Sequence, residues 1–157
     1  KKKQMKLDSI DYKLIELLQE DCKQTTRELA LVLGLSTTAV YERVKKLEKT
    51  NVISKYVAII DRNQVNRGFV VLSMIKIKTH SKEAIIQFEK KINDLQEVLE
   101  CYNISGDYDY ILKIGVKDME AYREFMLSKL TSMDEVLSSH SLFTIGEIKN
   151  STQYKLL

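Results

Sequence analysis

Cysteine and histidine are nearly absent, with two of each in 157 residues. Cys22 and Cys101 stand far apart, without CxxC spacing, inside apolar-periodic segments. They are expected as reduced, packed thiols and not as a disulfide or metal pair. His80 and His140 have no neighbouring Cys and no HExxH frame, which argues against a zinc centre or a His-based triad. No catalytic residue, metal ligand or cofactor is therefore expected. Long apolar runs are missing too: none approaches the roughly 18 residues of a membrane span, and the basic start KKKQMK leads into an amphipathic pattern where a leader would carry its apolar core. The expectation is a cytoplasmic protein with no membrane partner. Glycine is scarce, with only five, so one placed inside a run of helix formers needs a reason.

What remains is globular composition, 44% hydrophobic and 30% charged, in a length that suits one ordinary domain or two small ones. The charge is unevenly spread. Residues 1–60 hold 12 Lys and Arg against 8 Asp and Glu, whereas residues 61–157 hold 13 against 14. The basic surplus belongs to the first third and suits a polyanion-binding module attached to something else.

In that third, Asp8 is a candidate helix cap followed by Ile10, Leu14, Leu17 and Leu18 at helical spacing. Thr25 and Glu28 form a second start of the capping-box type before Leu29, Ala30 and Leu33. Gly34 answers the question its position raises. It can take the left-handed conformation that ends a helix, Leu35 can plug the corner, and Ser36 can cap a third helix running to about Thr50, with Asn51 as its stop. Two helices about three residues apart make a helix-turn-helix. On a helical wheel Val40, Val44 and Leu47 form the buried stripe of the third helix, while Thr38, Glu42, Lys45 and Lys46 face away with Thr37 and Tyr41 at the edge. Such a face suits a major groove of double-stranded DNA. Thr38, Tyr41 and Glu42 would read bases, and Arg43, Lys45 and Lys46 would hold phosphates. The bland alternative is a solvated helix with Glu42 and Lys46 as an i,i+4 pair. VISKYVAIID after Asn51 alternates like a short basic strand, a wing from which Lys55 would meet phosphate. The polar stretch 61–68 is the expected linker between a winged helix-turn-helix in residues 1–60 and a second domain in residues 69–157.

The second domain reads β-α-β-β-α-β, the ferredoxin-like plan, so the chain as a whole is α+β. Its strands are FVVLSMIKIKT, EVLECYNIS, YDYILKIGV and VLSSHSLFTI; its helices are SKEAIIQFEKKIN and DMEAYREFMLSKL. Two helices cover one sheet face only, yet Val70, Leu72 and Met74 make one face of the first strand apolar while Val71, Ile75 and Ile77 do the same for the other. The uncovered face asks for a second copy, giving a homodimer. SGDYDY joins the central strands, with Gly106 expected at positive φ and Asp107 bonding its own backbone. Backbone N–H groups from Gly106 to Tyr108 could hold a carboxylate, and Asp107 or Asp109 an ammonium. A free amino acid carries both groups.

Taken together, LDSIDYKLIELLQED, LALVLGLSTTAVYERVKKLEKTNVI and CYNISGDYDYILKIGVKDMEAY, in that order, resemble the Lrp/AsnC family of transcriptional regulators over nearly the whole chain. The resemblance implies a winged helix-turn-helix followed by an effector domain of the dimeric α+β barrel type, dimers that often assemble into octamers, and amino acids bound between subunits. It places effector contacts on Gly106, Asp107, Tyr108 and Asp109, on Met119, and on Leu142, Phe143 and Thr144. The chain departs from the family in having no proline, with Thr37 and Ala39 where family members often carry one, and Asn51 where Gly is common. Two other functions fit parts of this pattern. An enzyme on the same C-terminal plan would use Asp109 or His140 as general base, but lacks a second catalytic group nearby. A nucleoid-organising protein would coat DNA with little sequence preference and no effector.

Overall fold

The computed structural model describes residues 6–156. They form two compact units, one holding the chain up to Ile59 together with the segment from Lys149, the other holding Ile60–Ile148.

The first unit contains α1 (Ser9–Glu20), α2 (Thr26–Leu33) and α3 (Thr37–Lys49). Each begins where a side chain satisfies an otherwise unpaired amide: Asp8 accepts from Asp11 N, Thr25 from Glu28 N and Ser36 from Ala39 N. Asp11 and Glu28 return hydrogen bonds to the caps' own N–H groups, completing two capping boxes. Gly34 ends α2 at φ +65° and ψ 35°, and the Leu35 amide turns back to the Ala30 carbonyl at 3.0 Å. Asn51 closes α3 with φ +58°. The core is small: Leu14, Leu29, Ala30, Val40 and Leu47 are buried, and Leu35 and Val44 pack half-buried against them.

Two expectations fail in this unit. No strand or wing forms over 52–61; residues 54–60 are irregular, with Val57 and Ile59 57% and 72% exposed. Alternation prepares a segment for pairing, but a strand exists only where a neighbour takes its hydrogen bonds. The chain end also behaves differently from the 69–157 boundary, because residues from Lys149 pack with α1. The Gln19 amide accepts from Tyr154 N (2.7 Å) and donates to Tyr154 O (2.9 Å), and Leu156 N donates to Glu16 Oε1 (2.7 Å).

The second unit carries β1 (Phe69–Ile77), α4 (Lys82–Asn93), β2 (Val98–Asn103), β3 (Tyr110–Val116), α5 (Met119–Phe125) and β4 (Val136–Phe143). The sheet order is β2-β3-β1-β4 with every neighbour antiparallel. Ser81 and Asp118 cap the two helices, and α5 widens into a π-turn over Met126–Leu130 where one long helix was expected. One face packs Val71, Ile75 and Ile77 of β1 and Tyr110, Leu112, Ile114 and Val116 of β3 onto Phe88 and Ile92 of α4 and Tyr122 and Phe125 of α5. The other face presents Leu72, Met74, Ile111 and Leu142, with Leu99, Tyr102 and Leu142 exposed. The expected linker is an ordered turn of this unit, closed by Arg67 N to Arg62 O at 2.8 Å and by an Arg62–Glu147 ion pair. Cys22 and Cys101 are free, as expected, but exposed and not packed: one lies in the turn after α1, the other on edge strand β2.

Candidate nucleic-acid interface and effector turn

The face of α3 follows from its anchoring. With Val40 and Leu47 buried, Ser36, Thr37, Thr38, Tyr41, Glu42, Lys45 and Lys46 are exposed along one side. Ser36 is committed as the cap through its Oγ. Among the described residues no ion pair joins Glu42 to Lys46; instead Lys45 Nζ meets Glu48 Oε2 at 3.2 Å and lies 5.6 Å from the Tyr41 ring centroid. Glu48 also accepts from the Tyr56 hydroxyl at 3.1 Å, and burial together with that carboxylate pushes the Tyr56 pKa up to about 12. Lys55 is exposed in the irregular segment, not on a wing.

Arg43 behaves unlike its neighbours. Its Nη1 donates to Asp8 Oδ2 at 2.8 Å and to Asp11 Oδ1 at 2.5 Å, so the guanidinium expected on phosphate is engaged by the N-terminus of α1. The Asp11 amide first, and Arg43 second, hold the Asp8 carboxyl below the usual carboxylate range. Sequence reading identified the Asp8 cap but not this link, whose only linear trace is a pair of carboxylates 32 and 35 residues from an arginine.

At the C-terminal turn Gly106 has φ +128°, in the region glycine favours, while Asp107 is exposed and makes no hydrogen bond among the described residues. Asp109 is heavily engaged. Its Oδ2 accepts from Ile77 N at 2.8 Å and its Oδ1 meets His80 Nε2 at 2.7 Å, while its backbone bonds Ile75 and Ile104. The His80 contact and then the Ile77 amide hold the Asp109 carboxyl below its ordinary value. The carboxylate thus staples the turn to the end of β1 and was missed as such, since nothing local marks His80 or Ile77 as partners. Tyr108 lies near His140, with ring centroids 6.3 Å apart.

The other residues implied by the resemblance lie elsewhere. Met119 opens α5; Phe143 packs edge-on to Tyr122 at 5.6 Å; Thr144 Oγ1 donates to Val70 O at 2.7 Å; Leu142 is exposed beside them on β4. Along β1, Tyr110 sits opposite Ile75 and Phe143 opposite Val71. Four residues of strand separate those positions, about 13 Å. One chain therefore places the Gly106–Asp109 turn at one end of the sheet and Leu142–Thr144 toward the other, with Met119 on α5, and does not join these groups into one site.

The family model described as the AsnC-type helix-turn-helix domain matches residues 7–48, and that of the Lrp/AsnC ligand binding domain matches residues 70–154. The DNA-binding transcriptional activator DecR of Escherichia coli is 34% identical over 93% of this chain and 96% of its own. The leucine-responsive regulatory protein of Escherichia coli is 32% identical, covering 94% and 90%. Among solved structures, a transcriptional regulator of Neisseria meningitidis in complex with L-Met superposes with a TM-score of 0.89 at 32% identity, covering 94% of this chain and 95% of that one. An AsnC family regulator from Agrobacterium tumefaciens gives 0.90 at 34%, covering 94% and 96%. These matches are to regulators and not to enzymes built on the same C-terminal plan, and they run the length of both units in order. The chain belongs to the Lrp/AsnC family of DNA-binding transcriptional regulators.

Proposed function

We propose that the protein is a sequence-specific regulator that reads double-stranded DNA as a dimer through α3 and answers to an amino acid bound between copies of its second unit. The carrying observation is the exposed α3 face: hydroxyls of Thr37 and Thr38 and the Glu42 carboxylate near the helix start, then Tyr41, Lys45 and Lys46. Hydroxyls and a carboxylate suit base edges, and lysines suit phosphates. The open sheet face supports a second copy packed sheet to sheet, and further association to an octamer is the extension the family suggests. The separation of about 13 Å between the two candidate effector groups supports a ligand site assembled from two chains. A relative solved with L-Met supports an amino acid as the class of ligand.

Within that site Asp107 is the carboxylate better suited to hold an ammonium, because it is exposed and makes no hydrogen bond among the described residues, whereas each Asp109 oxygen already has a partner. Screening the twenty amino acids by thermal shift should find at least one that raises the melting temperature, since a ligand of the native state must stabilise it. Calorimetry should then show Asp107→Asn weakening that ligand about ten- to a hundredfold, the worth of one charge-assisted partner at roughly 1.5–3 kcal/mol. Asp109→Asn should instead loosen the turn and lower the stability of the ligand-free protein. The sign with pH follows. With its carboxyl lowered in the fold, Asp109 stabilises fully above its unfolded value of about 3.9 and loses that contribution as pH falls through the folded one. The Asp109→Asn protein should accordingly lose part of the wild type's acid dependence. No stabilisation by any amino acid would reject the effector reading; weakening by Asp109→Asn alone would reject the assignment of Asp107.

A further inference from the structure

Asp11 is 2% exposed, and a carboxylate so buried requires a charged partner. That partner comes from α3. A single guanidinium nitrogen of Arg43 bridges the two carboxylates of the α1 capping box, while Asp8 N donates to Asp11 Oδ2 at 3.2 Å and Asp11 N to Asp8 Oδ1 at 2.8 Å. The start of α1 and the middle of α3 thus form one hydrogen-bonded network.

On a helical wheel Arg43 flanks the buried stripe of Val40, Val44 and Leu47, and beyond Ala39 the positions round on its outer side are Lys46, Glu42, Lys49 and Thr38. The apolar stripe sets the roll of α3 about its own axis only coarsely, because the stripe is broad and burial is non-directional. Charge-assisted hydrogen bonds are directional and short. From this geometry we infer that Asp8, Asp11 and Arg43 are positioning residues for DNA recognition: the bridge fixes the roll of α3, and so the direction in which Thr38, Glu42 and Lys46 point. Arg43 itself contacts no phosphate in this arrangement, since its charge is already answered by two carboxylates.

Roll matters to base contacts and little to non-specific attraction. Hydrogen bonds to base edges require a set orientation, whereas the attraction of lysines to the phosphate backbone tolerates many. Losing the bridge therefore lowers the fraction of molecules with α3 in the reading orientation and multiplies the apparent specific affinity by that fraction.

The test uses the full chain, a duplex selected by the wild type from a random library, and a random duplex of equal length, with anisotropy titrations over a range of KCl concentrations well below the melting temperature. Asp8→Asn and Arg43→Ala should each lose about tenfold on the selected duplex with little change on the random one, and the slope of log K against log salt should stay at the wild-type value. Arg43→Lys, which keeps the charge on a shorter side chain with a different head group, should recover part of the loss. Asp8→Asn keeps the proposal testable if Arg43→Ala fails to fold, because Asn still caps α1. Three results overturn it. A slope flattened by about one in Arg43→Ala, with tighter binding by Asp8→Asn, makes Arg43 a phosphate contact restrained by the acids. Equal losses on both duplexes reduce the bridge to fold stability. Wild-type affinity in both variants makes it a local contact only.

Discussion

Leu47→Ala is expected to melt the helix-turn-helix unit while leaving the other unit folded. Leu47 is completely buried among Leu14, Leu29, Ala30 and Val40, and no larger core backs it up. Truncating a buried leucine costs about 2–5 kcal/mol, because the cavity adds to the lost transfer energy. A unit of roughly seventy residues has only about 3–10 kcal/mol in total. Scanning calorimetry should resolve two transitions, the one belonging to α1–α3 shifted down by more than about 10 °C and the other unmoved. DNA binding should disappear at temperatures where the second unit is intact. A single transition that moves as a whole would mean that the two units do not unfold independently.

Met74→Arg should convert the proposed dimer into monomers. Met74 lies on the open face of β1, opposite Ile111 of β3 and His140 of β4, and takes no part in the helix-covered core. In a two-fold interface each substitution is made twice. Burying two unpaired guanidinium groups costs several kcal/mol, which weakens association by at least about a thousandfold. Sedimentation velocity at micromolar concentration should show wild-type dimer or larger species and variant monomer, with circular dichroism unchanged. A variant that sediments with the wild type would move the interface away from this face.

Where the physics is local, the sequence was sufficient. Asp8, Thr25 and Ser36 mark helix starts by side chains that reach only three residues, and Gly34 marks its corner because few residues accept a positive φ. The two apolar faces of β1 were legible from alternation alone. Where the decisive partner is remote, reading along the chain misled. VISKYVAIID has the alternation of a strand but pairs with no neighbour among the described residues. Arg43 looked like one more basic residue on a DNA-facing helix until Asp8 and Asp11 were found against it, and Asp109 looked like a free ligand group although His80 and the end of β1 occupy it. The packing of Tyr154 and Leu156 on α1 depends on Gln19 and Glu16, more than 130 residues away, and no local pattern announces it.

The central claim is that α3 reads sequence with one set of side chains and grips phosphate with another. Binding of the wild type, Lys46→Ala and Glu42→Gln to a selected and a random duplex, measured by anisotropy across a KCl series, tests it most directly. Wild type should favour the selected duplex at every salt concentration. Lys46→Ala should weaken both duplexes alike and lower the salt slope by about one, while Glu42→Gln should keep the slope and change which sequences are preferred. Equal affinity of the wild type for selected and random DNA at one fixed salt concentration, with both variants weakened in proportion, would contradict the account and describe a protein that coats DNA without reading it.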